Sequence, residues 1–352
     1  MTAPGNGRPV KPARLLPALA LPLALLLSAC HPSPGAAGGA GGDSDGKGSV
    51  TLHVGDQKGN SEAVLRAAGE LKNLPYRIRW STFTSGPPLL EAVNAGAVDI
   101  GAVGDTPPVF AGAAGSRIRV VGASRSSAAG EAVVVKKGSG LHGPADLRGH
   151  TVAVAQGSSA HYMLLASLAR AGLSTKDVRV TYLQPADALA AFSRGKVDAW
   201  ATWDPYTSQA LGSGARVLTT GQGVVDGLSF QVAAPAALSD DGRGAAVRDY
   251  LTRLRRAQAW VHRHPRTWAE VWSRETGLPQ DVALAAVHRT RGTAVAVAVD
   301  DAAVDSEQRI VTTFARLRLI PHSFDFAVIV DDRYNQGLPP SGTAPLRYRK
   351  GE

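Results

Sequence analysis

Four short segments carry residue types suited to holding a small anion: Gly55-Asp56-Gln57-Lys58-Gly59-Asn60-Ser61, Thr84-Ser85-Gly86-Pro87-Pro88, Gly104-Asp105-Thr106-Pro107-Pro108 and Gln156-Gly157-Ser158-Ser159-Ala160-His161. Each follows a strand-like run and leads into a helix-like one. Ser, Thr, Asp or Asn just outside a helix can cap it, and Pro in the first turn forfeits no needed hydrogen bond. The first turn leaves backbone N–H groups unsatisfied, and these attract negative charge. A single such junction needs no ligand to explain it, because every helix needs a cap. Recurrence after successive strands is more informative. Converging, the junctions would form a cleft rich in N–H and O–H donors, suited to a sulfonate or nitrate group without a bidentate arginine.

The individual side chains differ in what they offer. Ser158 and Ser159 can cap the helix expected from Ala160 and donate hydroxyls, with His161 in its first turn. His161 reads equally as an interior or surface histidine. Asp105 is awkward beside an anion and better suited to shaping its own turn. In Trp200-Ala201-Thr202-Trp203-Asp204-Pro205-Tyr206, Trp203 can wall an organic tail, Asp204 can cap the helix introduced by Pro205, and Trp200 can be core. Ser158, Ser159 and His161 crowd one helix start with no assignable acidic partner, so no catalytic triad is expected. His262 and His264 lack further ligands nearby, and neither a metal nor a cofactor is expected.

Alternating strand-like and helix-like runs must position these junctions. Strands are expected at 50–55, 76–80, 98–103 and 118–122, with helices at 61–71, 89–94 and 107–113. A strand at 133–135 precedes a second set: strands 151–155, 178–183, 197–200 and one at Val217, with helices 160–171 and 187–194. This is an α/β pattern in two units of similar size. From about Val247 the chain turns helical, at 247–262, 268–275, 282–289 and 306–317, and is expected to return onto the first unit. The expected plan is lobe 1 over 50–135, lobe 2 over 136–231, a return to lobe 1 over 232–345 and a tail at 346–352, with crossings near Val135 and Gln231.

The chain has 352 residues, a formal charge of +9 and one cysteine. Residues 1–29 carry Arg8, Lys11 and Arg14, then an apolar run with Pro17 and Pro22, which reads as an export signal too short to span a bilayer. Its removal takes three positive charges, leaving +6. No dense basic patch with interleaved aromatics remains, which argues against nucleic-acid binding. Leu27-Ser28-Ala29-Cys30 resembles the lipobox of bacterial lipoproteins, implying a diacylglyceryl group on Cys30 and a protein held at the outer face of the cell membrane. Residues 30–49, mostly Gly, Ala, Pro, Ser and Asp, are too poor in apolar side chains to order themselves and form a tether.

At its junctions the chain resembles the aliphatic sulfonate-binding proteins of ATP-driven (ABC) importers, within the wider nitrate, sulfonate and taurine group. The marks are Gln57-Lys58-Gly59, Ser85-Gly86-Pro87, Leu89 to Gly96 leading into Asp99-Ile100-Gly101, Gly104-Asp105-Thr106-Pro107-Pro108, Gly157-Ser158-Ser159-Ala160-His161 and Trp203-Asp204-Pro205-Tyr206. The resemblance implies a two-lobed periplasmic-binding-protein fold of the second type, with a central cleft and a helical C-terminal part on lobe 1. It implies a monomer without enzymatic activity that closes on an alkanesulfonate and presents it to a permease with a cytoplasmic ATPase. Gln57, Ser85, Gly86, Pro87, Asp105, Thr106, Ser158, Ser159, His161, Trp203 and Asp204 are then the expected pocket residues. Asp56 departs from the aromatic residue common before Gln57, and Glu62 follows closely. Either carboxylate in the pocket would suit an ammonium-bearing ligand such as taurine.

Overall fold

The computed structural model describes residues 50–290 and 294–342. The leader, Cys30, the tether and the tail at 346–352 lie outside the described residues. In chain order the elements are β1 Thr51–Gln57, α1 Ser61–Ala67, β2 Arg77–Phe83, α2 Gly86–Asn94, β3 Ile100–Gly104, α3 Thr106–Ala113, β4 Arg119–Arg125, β5 Ala132–Lys136, β6 Thr151–Val154, α4 Ser159–Arg170, β7 Arg179–Tyr182, α5 Pro185–Ser193, β8 Ala199–Thr202, α6 Tyr206–Gly212, β9 Ala215–Thr220, β10 Leu228–Ala233, α7 Pro235–Ser239, α8 Asp241–Arg263, α9 Pro265–Thr276, α10 Gln280–Thr290, β11 Val295–Val297 and α11 Asp301–Arg316.

The strands form two sheets, β11-β4-β10-β3-β1-β2 and β7-β6-β8-β5-β9. In the first, β1 runs parallel to β2 and β3, while β10 enters antiparallel between β3 and β4. The second repeats the plan: β6 is parallel to β7 and β8, and β5 enters antiparallel between β8 and β9. β5 and β10 are each the first strand after the chain changes sheets, so each lobe is completed by a strand arriving from the other. Both faces of each sheet are covered, which accounts for continuous apolar runs such as Ala132-Val133-Val134-Val135.

Val135 lies inside β5, in the second sheet, and Gln231 inside β10, in the first. The chain therefore crosses between sheets earlier than expected at both places, between β4 and β5 and between β9 and β10. β5 and β10 lie inside their sheets, each flanked by strands distant in the chain. The two crossings are bonded side by side, Ser126 N donating to the Gly227 carbonyl at 2.8 Å and Gly221 N to the Glu131 carbonyl at 2.8 Å. Gly227 has φ +70°, and a Cβ there would collide with the Ser126 carbonyl, so only glycine fits this contact.

After β10, helices α8 and α9 cover one face of the first sheet with α1, sharing a core with Leu52, Val54 and Leu65. Helix α11 covers the other face beside α3, through Ile310, Val311 and Phe314. Asp240 caps α8 and Asp300 caps α11 through their side chains.

Candidate functional site

A cleft of about 280 Å³ opens between the sheets. From the first lobe it is walled by Gln57 at the end of β1, Thr84 and Gly86 after β2, Gly104 at the end of β3 and Ser229 and Gln231 on β10. From the second come Glu131 before β5, Ser158 and Ser159 at the start of α4, and Trp203 to Tyr206 after β8. Carboxyl ends of parallel strands and the helix starts after them thus supply most of the lining, the usual location for ligands in open α/β sheets.

Two helix N-termini face this space from opposite lobes. Helix α2 begins at Gly86, with Ser85 extended before it and prolines at 87 and 88, so few N–H groups remain in its first turn. A Cβ on Gly86 would lie 2.5 Å from Pro107 Cγ, so glycine lets α2 and α3 approach. Helix α4 begins at Ser159 with Ser158 extended before it, and neither helix has a side-chain cap. The lobes approach closely here, a Cβ on Gly104 falling 2.7 Å from Ser159 Oγ. Gln57 Nε2 donates to the Ala102 carbonyl at 3.1 Å, which fixes that side chain across β1 and β3. Trp203, Trp268, Trp272 and Tyr206 provide the aromatic wall.

Of the expected pocket residues, Gln57, Gly86, Ser158, Ser159, Trp203 and Asp204 line the cleft. The others do different work. Ser85 is fully buried and donates through Oγ to Gln184 Oε1 at 2.9 Å, joining the start of α2 to the residue just before α5 across the lobes. Pro87 fills the first turn of α2. Thr106 is buried and gives its hydroxyl to Asp105 Oδ1 at 2.8 Å, so both serve the start of α3.

His161 is part of the core and outside the lining. Its Nδ1 accepts from Gly157 N at 3.3 Å, and its ring meets Phe314 edge-on with centroids 5.1 Å apart. Burial lowers its pKa to about 4, so it is neutral at pH 7. Ser158 Oγ donates to the Ala155 carbonyl at 2.7 Å, which closes the turn before α4. Asp204 accepts from Ser208 N at 3.0 Å, as a cap for α6 would, and also pairs with Arg289 of α10 at 2.8 Å.

The two carboxylates considered for an ammonium group are committed elsewhere. Asp56 Oδ1 and Oδ2 accept from Ser61 N and Glu62 N, each at 2.9 Å, holding the start of α1. Burial raises Asp56 to about 6, opposed by those same N–H groups. Glu62 pairs with Arg66 one turn along α1.

Three features escaped the sequence reading. Glu131 lines the cleft and is raised to about 8 by burial and then by Asp105. Glu307 of α11 is fully buried with neither oxygen partnered, and burial followed by Asp105 and Asp226 pushes it well upward. Gln258 of α8 lines the cleft and donates to Ser124 Oγ at 3.1 Å. Glu131 alone had a local hint, as a lone acid just before the apolar run Ala132 to Val135. Among the described residues no cluster of His, Cys, Asp and Glu has the arrangement of a metal site.

Comparison with known proteins matches this architecture. Residues 49–274 match the model of the NMT1-like family. A protein of Escherichia coli strain K12 named for aliphatic sulfonate binding is 39% identical over 280 residues, covering 78% of this chain and 86% of its own. The alkanesulfonate-binding protein SsuA of Xanthomonas axonopodis pv. citri, solved with MOPS bound, superposes with TM-score 0.74 at 34% identity, over 80% of this chain and 98% of that one. The periplasmic aliphatic sulphonate binding protein SsuA of Escherichia coli gives 0.70 at 36% identity, over 80% and 97%. With two lobes of repeated strand order, a cleft at their strand ends and a family match over most of its described length, this chain belongs to the NMT1-like family and has the fold of the SsuA periplasmic binding proteins.

Proposed function

We propose that the protein captures aliphatic sulfonates outside the cytoplasm and delivers them to an ABC permease by closing its lobes. The observation that carries this reading is the placement of the α2 and α4 N-termini on opposite walls of one cleft beside Trp203. Backbone N–H groups at both helix starts would hold the sulfonate oxygens, and neither lobe alone would complete the site. Gln57, Ser158 and Ser159 would border the headgroup, while Trp203 and neighbouring aromatics would cover the alkyl tail. The names of the sulfonate-binding relatives support the substrate class. Because Asp56 and Glu62 are tied into and beside α1, they give no support to an amine-reading pocket.

Delivery would use the surface formed when both lobes close, recognised by a permease driven by a cytoplasmic ATPase. The protein would act as a monomer without a chemical step. A lipid on Cys30 would hold it at the outer face of the membrane through the tether, keeping it near the permease. Replacing Cys30 by Ala should release it to the soluble fraction, and persistence in the membrane fraction would contradict the anchor.

Titration calorimetry with ethanesulfonate, taurine, nitrate and sulfate tests the substrate class. Ethanesulfonate should bind more tightly than sulfate or nitrate. Failure of the folded protein to bind any sulfonate would remove the reading.

A further inference from the structure

Glu131 is an unexpected group to find in a cleft read as an anion site. It lies on the last stretch of the first crossing, just before β5, and its backbone is fixed by the bond from Gly221 N. Ser159, at the start of α4, lines the same cleft. Glu131 Oε2 is sealed from solvent and has no partner within the protein. An ionised carboxylate there would repel any anion drawn to α4. A carboxylic acid would instead present an O–H donor with nothing yet to receive it.

The surroundings favour the acid. Asp105 at the start of α3 acts on Glu131 with like charge, and is itself pressed by Asp226, while Glu307 on α11 faces the same Asp105. Asp204 reaches the adjoining Gly130 but is paired with Arg289, and Asp226 is paired with Arg309. Lys58 lines the cleft from the first lobe. Burial and Asp105 together hold the Glu131 proton on up to about pH 8.

We propose that Glu131 is a specificity-determining residue of the cleft, its protonated carboxyl donating to an oxygen of the bound sulfonate. This rests on the sulfonate reading above. A sulfonate is ionised throughout the working range and accepts without competing for the proton. Binding therefore requires the protonated form of Glu131, and raising the pH removes a donor and adds a repelling charge in one step. No bond other than the hydrogen bond is made or broken.

The test is calorimetric titration of ethanesulfonate from pH 6 to 9.5, in pairs of buffers differing in ionisation enthalpy, for the wild type, E131Q and E131A. The wild type should bind with constant affinity up to the titration of Glu131. Above it, affinity should fall by about tenfold per pH unit, with proton uptake approaching one per ligand. E131Q, which keeps an N–H donor without the titration, should show a flat profile and no proton uptake. E131A should bind about tenfold more weakly at pH 7. Wild-type binding that is flat to pH 9.5 with no proton uptake overturns the inference and leaves the sulfonate reading standing. So does an E131Q protein that binds ethanesulfonate as the wild type does at every pH but loses taurine, since that would make Glu131 an ionised reader of ammonium. Absence of ethanesulfonate binding at every pH overturns the sulfonate reading and this inference with it.

Discussion

Arg289 Nη2 of α10 lies 2.8 Å from Asp204 Oδ2 and 2.8 Å from Ser208 Oγ, so a helix packed on the first lobe is tied to the second beside the cleft. Ser85 and Gln184 make a second link across the lobes. The Arg289 and Asp204 side chains are 24% and 12% exposed, so water can replace their bond only in part.

Replacing Arg289 by Met should leave Asp204 poorly compensated when the lobes are together. Loss of a charge-assisted bond of about 1.5 kcal/mol would weaken sulfonate affinity about tenfold. Calorimetry reads the affinity, and X-ray scattering should show a larger radius of gyration for the unliganded variant. Unchanged affinity and radius would show that the pair does not contribute to closure.

Gly104 and Ser159 set how near the lobes can come at the headgroup. A Cβ on Gly104 would meet Ser159 Oγ at 2.7 Å and Cβ at 2.9 Å. Gly104→Ala should leave each lobe folded, shifting the unliganded melting temperature little, while weakening sulfonate binding by tenfold or more. Equal binding by variant and wild type would mean that the ligand-bound lobes stand further apart.

The aromatic wall makes a separate prediction about the ligand tail. Each methylene buried against it should add about 0.8 kcal/mol. Across ethane-, butane- and hexanesulfonate, Trp203→Ala should reduce the gain per methylene and affect the shortest ligand least. A uniform loss along the series would assign Trp203 to the headgroup.

His161 should make stability depend on pH. Its folded-state pKa is lowered from 6.5 to about 4 by burial, so the folded protein holds the neutral ring while the unfolded chain takes up a proton. The His161 contribution is complete above pH 6.5 and is lost as pH falls towards 4, by about 3 kcal/mol. Denaturant melts of wild type and His161→Gln should therefore converge on acidification over this window. A constant difference between them would contradict the assignment.

The α/β alternation and much of the cleft were legible locally, because a strand end, a small polar turn and a helix start are neighbours in sequence. Gln57, Gly86, Ser158, Ser159 and Trp203 come from such junctions. His161, Thr106 and Asp105 come from the same motifs but turn into the core or onto one another, since half a helix turn separates a wall position from a buried one. β10 was missed because its six residues pair with β3 and β4, far away in the chain. That non-local pairing also puts the crossings before β5 and β10, ahead of Val135 and Gln231. Arg289 meets Asp204 across 85 positions, and the proton on Glu131 depends on burial and then on Asp105 in the other lobe. Neither relationship leaves a local pattern.

A crystal structure grown with ethanesulfonate, with the ligand sulfur located by anomalous scattering, tests the central claim most directly. Sulfur should lie between the starts of α2 and α4, with sulfonate oxygens within hydrogen-bond reach of Gly86 N and Ser159 N and the ethyl group towards Trp203. Sulfur bound by one lobe alone, or outside this cleft, would contradict it.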